Sequence, residues 1–444
     1  ACMKPRTRMQ RPLAALTKPQ RGAVMVLIVI ALAAMLLMAA LALDGGHMLV
    51  NKTRLQNAVD AAALSGAKTL QQVMGSGNAS SLARDAALNT LRLNADAEGN
   101  GELNSGIGDG GVGAFAVVEL SNSVYGPFAY PGPADARYIR VTVPDYPLAG
   151  FFWNFAQSFA AGNLGDKAVA AVATAGPSPS VGPCKVDPIV VCGDPGQYDP
   201  ANGNFWGYRF GDLETLTCGT PGSPSAGNCQ LLRLAGGTGG ADIRKAFCEG
   251  IEQCNVVGAS VDTEPGITWG PVAQGLNTRL GIYNGPVDAS ACPPDWFTDY
   301  SEPLVTMAGE TPTYQGAAVV SNAGDLSAGG TDLIDIKDWQ GRNETCAGSP
   351  GSCAGVSERR ILNVVVGNCA GVSGGATSVP VLGFGCFYLL QRVEQNGDKH
   401  VLGQFLKECQ GDGVAGPDPA SDVGPQIIQL YKTYITPTTP STDS

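Results

Sequence analysis

An unbroken apolar run, AVMVLIVIALAAMLLMAALAL (residues 23–43), constrains this chain more than any other feature. Its 21 residues carry no charge. At ~1.5 Å per residue, a helix of that length crosses a hydrocarbon core ~30 Å thick. In lipid a single segment satisfies its own backbone only as a helix. The competing reading is a cleaved secretory signal. The run is longer than an ordinary apolar signal core, and no Ala-x-Ala site in a turn-like context follows it. Residues 1–22 hold Lys4, Arg6, Arg8, Arg11, Lys18 and Arg21 and no acid. That end is therefore expected to stay in the cytoplasm, with everything from Asp44 onward exported.

Charge and cysteine usage agree with this topology. The formal charge is −11, and setting aside the six N-terminal cations leaves −17 for the exported part. So acidic a body disfavours nucleic acid as a partner. Twelve of the 13 cysteines lie between Cys184 and Cys409. An even set in an exported segment reads as a disulfide framework. Zinc is disfavoured, because C-x-x-C is absent and there are only two histidines. Proximity along the chain predicts the pairs Cys184–Cys192, Cys218–Cys229, Cys248–Cys254, Cys346–Cys353 and Cys369–Cys386, leaving Cys292–Cys409.

The helical pattern does not stop at the membrane exit. Beyond Asp44-Gly45-Gly46 the apolar or small positions Met48, Leu55, Val59, Ala62, Gly66, Leu70 and Val73 recur at helical spacing, opposite Lys52, Arg54, Asn57, Asp60 and Lys68. A helix is expected from about Val24 to Val73, with Gly45-Gly46 as its one plausible hinge. Leu55, Ala58, Val59, Ala62, Gly66 and Leu70 make a smooth face that another helix or sheet can approach closely. Packing on its own domain and contact with another molecule fit this face equally well.

The stretch RGAVMVLIVIALAAMLLMAALALDGGHMLVNKTRLQNAVDAAALSGAKTL resembles the N-terminal signature of the TadE/TadG-like proteins of the Tad (tight adherence, Flp) pilus machinery. Matching elements are Arg21-Gly22 before the run, Asp44 at its end, Leu55-Gln56-Asn57-Ala58, and Asp60-Ala61-Ala62-Ala63-Leu64. Weaker similarity runs through AVAAVATA near 168–175 and through PIVVCGDP, TEPGITWGPVAQGLNTRLG and VPVLGFGCFYLL. The resemblance implies a bacterial inner-membrane, single-pass protein whose one helix is both anchor and stalk. It also implies pilus assembly and adhesion as the role, other Tad machinery and the lipid bilayer as partners, and no enzymatic activity. Pilins carry a Glu at the fifth position after the peptidase-cut glycine. With Gly22 in that place the fifth position here is Leu27, which implies a permanently anchored subunit and no cleavage at Gly22.

The expected fold class is α+β: a long transmembrane/stalk helix, a small pilin-like α/β domain, then a disulfide-rich, mainly β domain. The expected parts are a basic tail (1–22), the transmembrane helix (23–43), the stalk (44–74), the α/β domain (75–180), the Cys-rich ectodomain (184–435) and a disordered tail (436–444). Within them we expect a helix over Ser80–Asn94 and a half-buried strand in ARYIRVTVP. FFWNFAQSFA (151–160) reads as a helix docked on a core by its aromatics, and GPSPSVGP (176–183) as a linker. Chemical motifs are weak. Gly106–Gly111 matches G-x-G-x-x-G without a leading strand or a following helix, and is expected to be a loop. GGTGGADIR precedes a helix but lacks G-K-[ST]. Asp325-Leu326-Ser327-Ala328-Gly329 fails a D-x-S-x-S metal motif at its last ligand. The enzymatic alternative is a membrane-anchored periplasmic hydrolase using Ser373, in a G-x-S-x-G, with His400. That motif needs a following helix, where the sequence reads as strand. No cofactor, metal or small-molecule substrate is expected.

Overall fold

The computed structural model describes residues 23–74, 76–153, 157, 165–218, 228–234, 237, 239–264, 268–349, 351–371, 376–396, 399–411, 413–415, 423–436 and 439–441. The basic tail, Gly22, Ser373, and most of 154–164 and 442–444 lie outside them. The chain is α+β, with a long apolar N-terminal helix followed by a mainly β region carrying six disulfides. Helix α1, Ala23–Gln72, runs 50 residues without a break. Gly45 and Gly46 lie inside it, with open space where a Cβ would sit. The chain divides into two units, residues 1–53 with 147–169 and residues 54–146 with 170–444.

The first unit holds the apolar half of α1. Its large side chains are exposed, Leu27 by 66% and Leu41 by 70%. A water-soluble domain would bury such a stripe; a helix surrounded by lipid leaves it free of protein partners.

In the second unit the polar-backed half of α1 buries Leu55, Ala58, Val59, Ala62, Ala63, Ala67, Leu70 and Val73. Against it lies α2, Ala79–Asp96, whose buried face is Ala79, Ala83, Ala87, Leu91 and Ala95, a stripe at every fourth residue. Alanine on both helices permits close approach. A Cβ on Gly66 would come within 2.6 Å of Ile139 Cδ1 and 3.0 Å of the Ala83 carbonyl oxygen. Strands β1 (Val117–Ser121), β2 (Tyr138–Pro147) and β3 (Ala168–Pro183) follow. They continue into a sheet whose next members come from the far end of the chain, Gly424–Tyr431 and Glu408–Gln410.

The residues expected to form a linker are therefore the second half of β3. Pro177 and Pro179 pair with Ile428 and Gln426. Two-residue spacing puts both prolines on the same phase of an antiparallel ladder, the phase in which the N–H of that residue is not needed by that partner. The small α/β domain consequently does not end near 180, because its sheet is completed by residues of the Cys-rich part. In the Gly106–Gly111 segment, Gly108–Gly111 form the expected loop, while Gly106 and Ile107 end a short helix. Gly101–Ile107 is helical, and a single turn, Val112–Phe115, follows.

The second sheet carries the main core. Its strands run in the order Ser260–Glu264, Asn228–Leu232, Ile189–Cys192, Ile361–Gly367, Ser378–Leu389, His400–Leu406 and Leu213–Cys218. A further pairing between Asn228–Leu232 and Leu213–Cys218 closes six of them into a ring. ILNVVV and VPVLGFGCFYLL pair as antiparallel neighbours, as their apolar continuity predicts. Phe387, Phe405, Leu362, Val364, Trp269 and Leu276 meet in one buried cluster. A separate five-stranded meander spans residues 306–332.

All twelve ectodomain cysteines are paired, and two of the six bonds, Cys218–Cys229 and Cys346–Cys353, follow the proximity expectation. The other four are Cys184–Cys254, Cys192–Cys369, Cys248–Cys292 and Cys386–Cys409. Strand register explains the corrections. In the hairpin, Cys386 stands opposite Asn363; Cys369 is six residues farther along, about 20 Å at ~3.3 Å per residue. The parallel pairing instead sets Gly367 against Cys192, and Cys369 follows two residues later. Antiparallel pairing of Lys185–Val186 with Ile251–Glu252 likewise brings Cys184 to Cys254.

Candidate membrane-exit and stalk site

The first charged residue after the apolar run, Asp44, is buried. Its carboxylate accepts three bonds from one segment of the first unit. The Phe151 N–H donates to Oδ1 (2.9 Å), the Phe152 N–H to Oδ2 (2.8 Å), and Lys167 Nζ to Oδ1 (3.0 Å). Lys167 Nζ also donates to the Ala149 carbonyl (2.8 Å) and lies 2.9 Å from His47 Nδ1. The segment is closed on itself where the Leu148 N–H donates to the Lys167 carbonyl. A buried carboxylate and ammonium persist only when paired and hydrogen-bonded, and here each completes the other's shell. The apolar faces of the same segment point outward. Phe151 is 63% exposed and Phe152 43%, so these two aromatics do not dock on a core as the sequence suggested. Residues 154–156 and 158–160 of that stretch lie outside the described residues.

The six stalk positions singled out from sequence, Leu55, Ala58, Val59, Ala62, Gly66 and Leu70, are all buried within the second unit. The end of the helix is tied down as well, since Gln71 Nε2 donates to the Cys409 carbonyl (3.2 Å).

Sequence reasoning missed a buried polar network in the ectodomain. Arg279 pairs with Asp187 in a short charge-assisted contact and also donates to the Phe247 and Arg359 carbonyls. Arg360, fully buried, donates to the carbonyls of Leu389, Leu390, Phe297 and Asp299. Asp295 accepts from the Arg360 and Phe297 N–H groups and from Trp339 Nε1. The one available signal was the Arg359-Arg360 pair set directly before the apolar ILNVVV in a chain only 15% charged.

Beside this network is a recess of about 270 Å³ lined by Lys68, Lys185, Asp187, Arg279, Glu358 and Arg359, among others. Burial pushes the partly buried Glu358 carboxyl up to about 7, outweighing the Gln410 N–H that it accepts. A carboxyl whose native value is raised holds its proton longer in the folded state. Stability is therefore expected to fall as pH rises from the unfolded value of about 4.3 to about 7, and to level off above. Glu358→Gln keeps the left-handed backbone (φ +60°) under the same side-chain shape and should flatten this slope. Unfolding midpoints of both proteins on either side of that window would show it; an identical slope rejects the assignment.

His400 Nδ1 lies 3.0 Å from the Thr217 hydroxyl, its cross-strand neighbour, and Ser373 is outside the described residues. The recess at His400 holds about 80 Å³, well below the ~300–1,000 Å³ usual for ligand sites. Among the described residues no group of three or more His, Cys, Asp or Glu is placed to hold a metal ion.

Comparison with known families adds one match. Residues 22–69 fit the family described as "Putative Flp pilus-assembly TadE/G-like", so the anchor and the first part of the stalk form a TadE/G-like domain. No curated protein and no solved structure matches the chain. The apolar helix fits a single-pass membrane anchor, and the TadE/G-like segment associates the chain with Tad pilus systems.

Proposed function

We propose that this chain is a non-enzymatic, permanently anchored component of a Tad/Flp pilus assembly system that supports pilus biogenesis and adhesion through helix and ectodomain contacts. The observation that carries the reading is the TadE/G-like segment 22–69, whose residues 23–69 lie within one unbroken helix. The cation-only residues 1–22 favour a cytoplasmic N-terminus at the bacterial inner membrane. Six disulfides favour a periplasmic or extracellular ectodomain. Packing of Leu55, Ala58, Val59, Ala62, Gly66 and Leu70 inside the second unit makes this face a support for the ectodomain, and leaves contacts with other Tad proteins to other surfaces.

The test is deletion in the native host followed by complementation. Loss of surface pili and of surface attachment, both restored by the full chain, is the expected result. Crosslinking from intact membranes should also recover other pilus-machinery proteins. Unchanged piliation in the deletion strain would overturn the reading.

A further inference from the structure

The segment pinned to Asp44 presents two exposed phenylalanines at the point where the apolar run ends. We propose that Phe151 and Phe152 form a wedge that inserts into the headgroup region of the same bilayer that α1 crosses, with Asp44 as the residue that sets its depth. The proposal rests on the reading of residues 23–43 as a membrane span. Asp44 directly follows Leu43, the last residue of the run. Both backbone amides bound to its carboxylate belong to the phenylalanines themselves, at 2.9 and 2.8 Å. The wedge is thus held one hydrogen bond away from the residue that leaves the hydrocarbon. The Phe151 ring packs edge-on against His47, centroids 5.2 Å apart, and His47 is three residues, less than one helical turn, past Asp44. The interfacial layer on each side of the hydrocarbon is itself only about 5–8 Å deep.

Burial chemistry separates the two faces of this segment. Lys167 turns inward to Asp44, His47 and the Ala149 carbonyl, whereas the Phe151 and Phe152 rings are 63% and 43% exposed. Leu49 and Val50, five and six residues past Asp44 on α1, are exposed too, by 70% and 49%. Aromatic rings concentrate at membrane–water interfaces, where an apolar body meets a polar border. A lipid surface is the occupant that is continuous with the helix already in it.

The full chain in nanodiscs of phosphatidylethanolamine and phosphatidylglycerol tests this, with a photoreactive benzoylphenylalanine placed singly at Phe151, Phe152, Leu41 or Tyr198. Leu41 reports the span; Tyr198, 48% exposed, is the exposed aromatic control from the second unit. Lipid adducts at Phe151 and Phe152 that approach the Leu41 level and exceed Tyr198 several-fold are expected. Adducts at Leu41 alone overturn the wedge and leave the anchor standing. Absence of adducts at Leu41 overturns both. The same positions in host membranes should again give lipid adducts; protein adducts in their place overturn the wedge. Asp44→Asn should lower labelling at Phe152 while Leu41 is unchanged, and equal labelling in that variant overturns the role given to Asp44.

Discussion

Replacing Arg360 by methionine is expected to cost the ectodomain about 3–5 kcal/mol, the usual cost of removing one partner from a buried charged network. Methionine fills much of the space but donates nothing. Four carbonyls, those of Leu389, Leu390, Phe297 and Asp299, lose their donor at once. Leu389 and Leu390 are buried, so their carbonyls cannot turn to water without opening the sheet. The guanidinium also lies over the Tyr388 ring, 4.6 Å from its centroid, and loses that contact too. At ~2–4 °C per kcal/mol, the midpoint should drop by roughly 6–20 °C. Thermal unfolding of the detergent-solubilised full chain, followed by near-ultraviolet circular dichroism, measures it. Arg360→Lys keeps the charge but not the planar fork and should fall between the two. A methionine variant within ~2 °C of the parent would show that these carbonyls find other partners.

The second large effect is expected from the bridge between Cys192 and Cys369. Its sequence separation is 177, against 7 for Cys346–Cys353. Taken alone, loops of those lengths correspond to about 5 and about 2 kcal/mol in the chain-entropy account. Three other bridges close inside the longer loop and one crosses it. The effective loop is shorter, and about 3–4 kcal/mol is the expected loss for Cys192→Ala with Cys369→Ala. The Cys346→Ala, Cys353→Ala pair should lose less. Denaturant midpoints of the two double variants decide the order, and equal losses would mean that loop length does not govern stability here.

What could be read in the sequence was whatever depends on local periodicity. The membrane run, the stalk helix, the helix around Leu82 to Leu91 and the strands of ILNVVV and ARYIRVTVP all announce themselves by spacing or by continuous apolarity. What depends on partners far along the chain could not be read. Disulfide choice follows register: Cys369 lies two residues past the strand Ile361–Gly367 and Cys386 within the strand beside it, yet they are kept apart because Asn363, not Cys369, stands opposite Cys386. The prolines of 176–183 carry a linker's composition, but a distant strand recruits them into a ladder. Asp44 was visible as the acid closing the run. Its partner Lys167 comes from 123 residues later, and the exposure of Phe151 and Phe152 follows from that pairing alone. The Arg360 network was hidden for the same reason, since its acceptors are backbone carbonyls, which every residue offers.

The sheet that begins with β1, β2 and β3 is finished by Glu408–Gln410 and Gly424–Tyr431. During synthesis the first three strands emerge more than two hundred residues before the strands that complete them. Until then β3 presents an open edge, a template on which any passing strand can pair. Strands Glu408–Gln410 and Gly424–Tyr431 act as the fastener of that sheet. A chain released short of Gly424 therefore has its N-terminal helix but leaves this sheet unsealed, with the open strand edge of an unfinished fold.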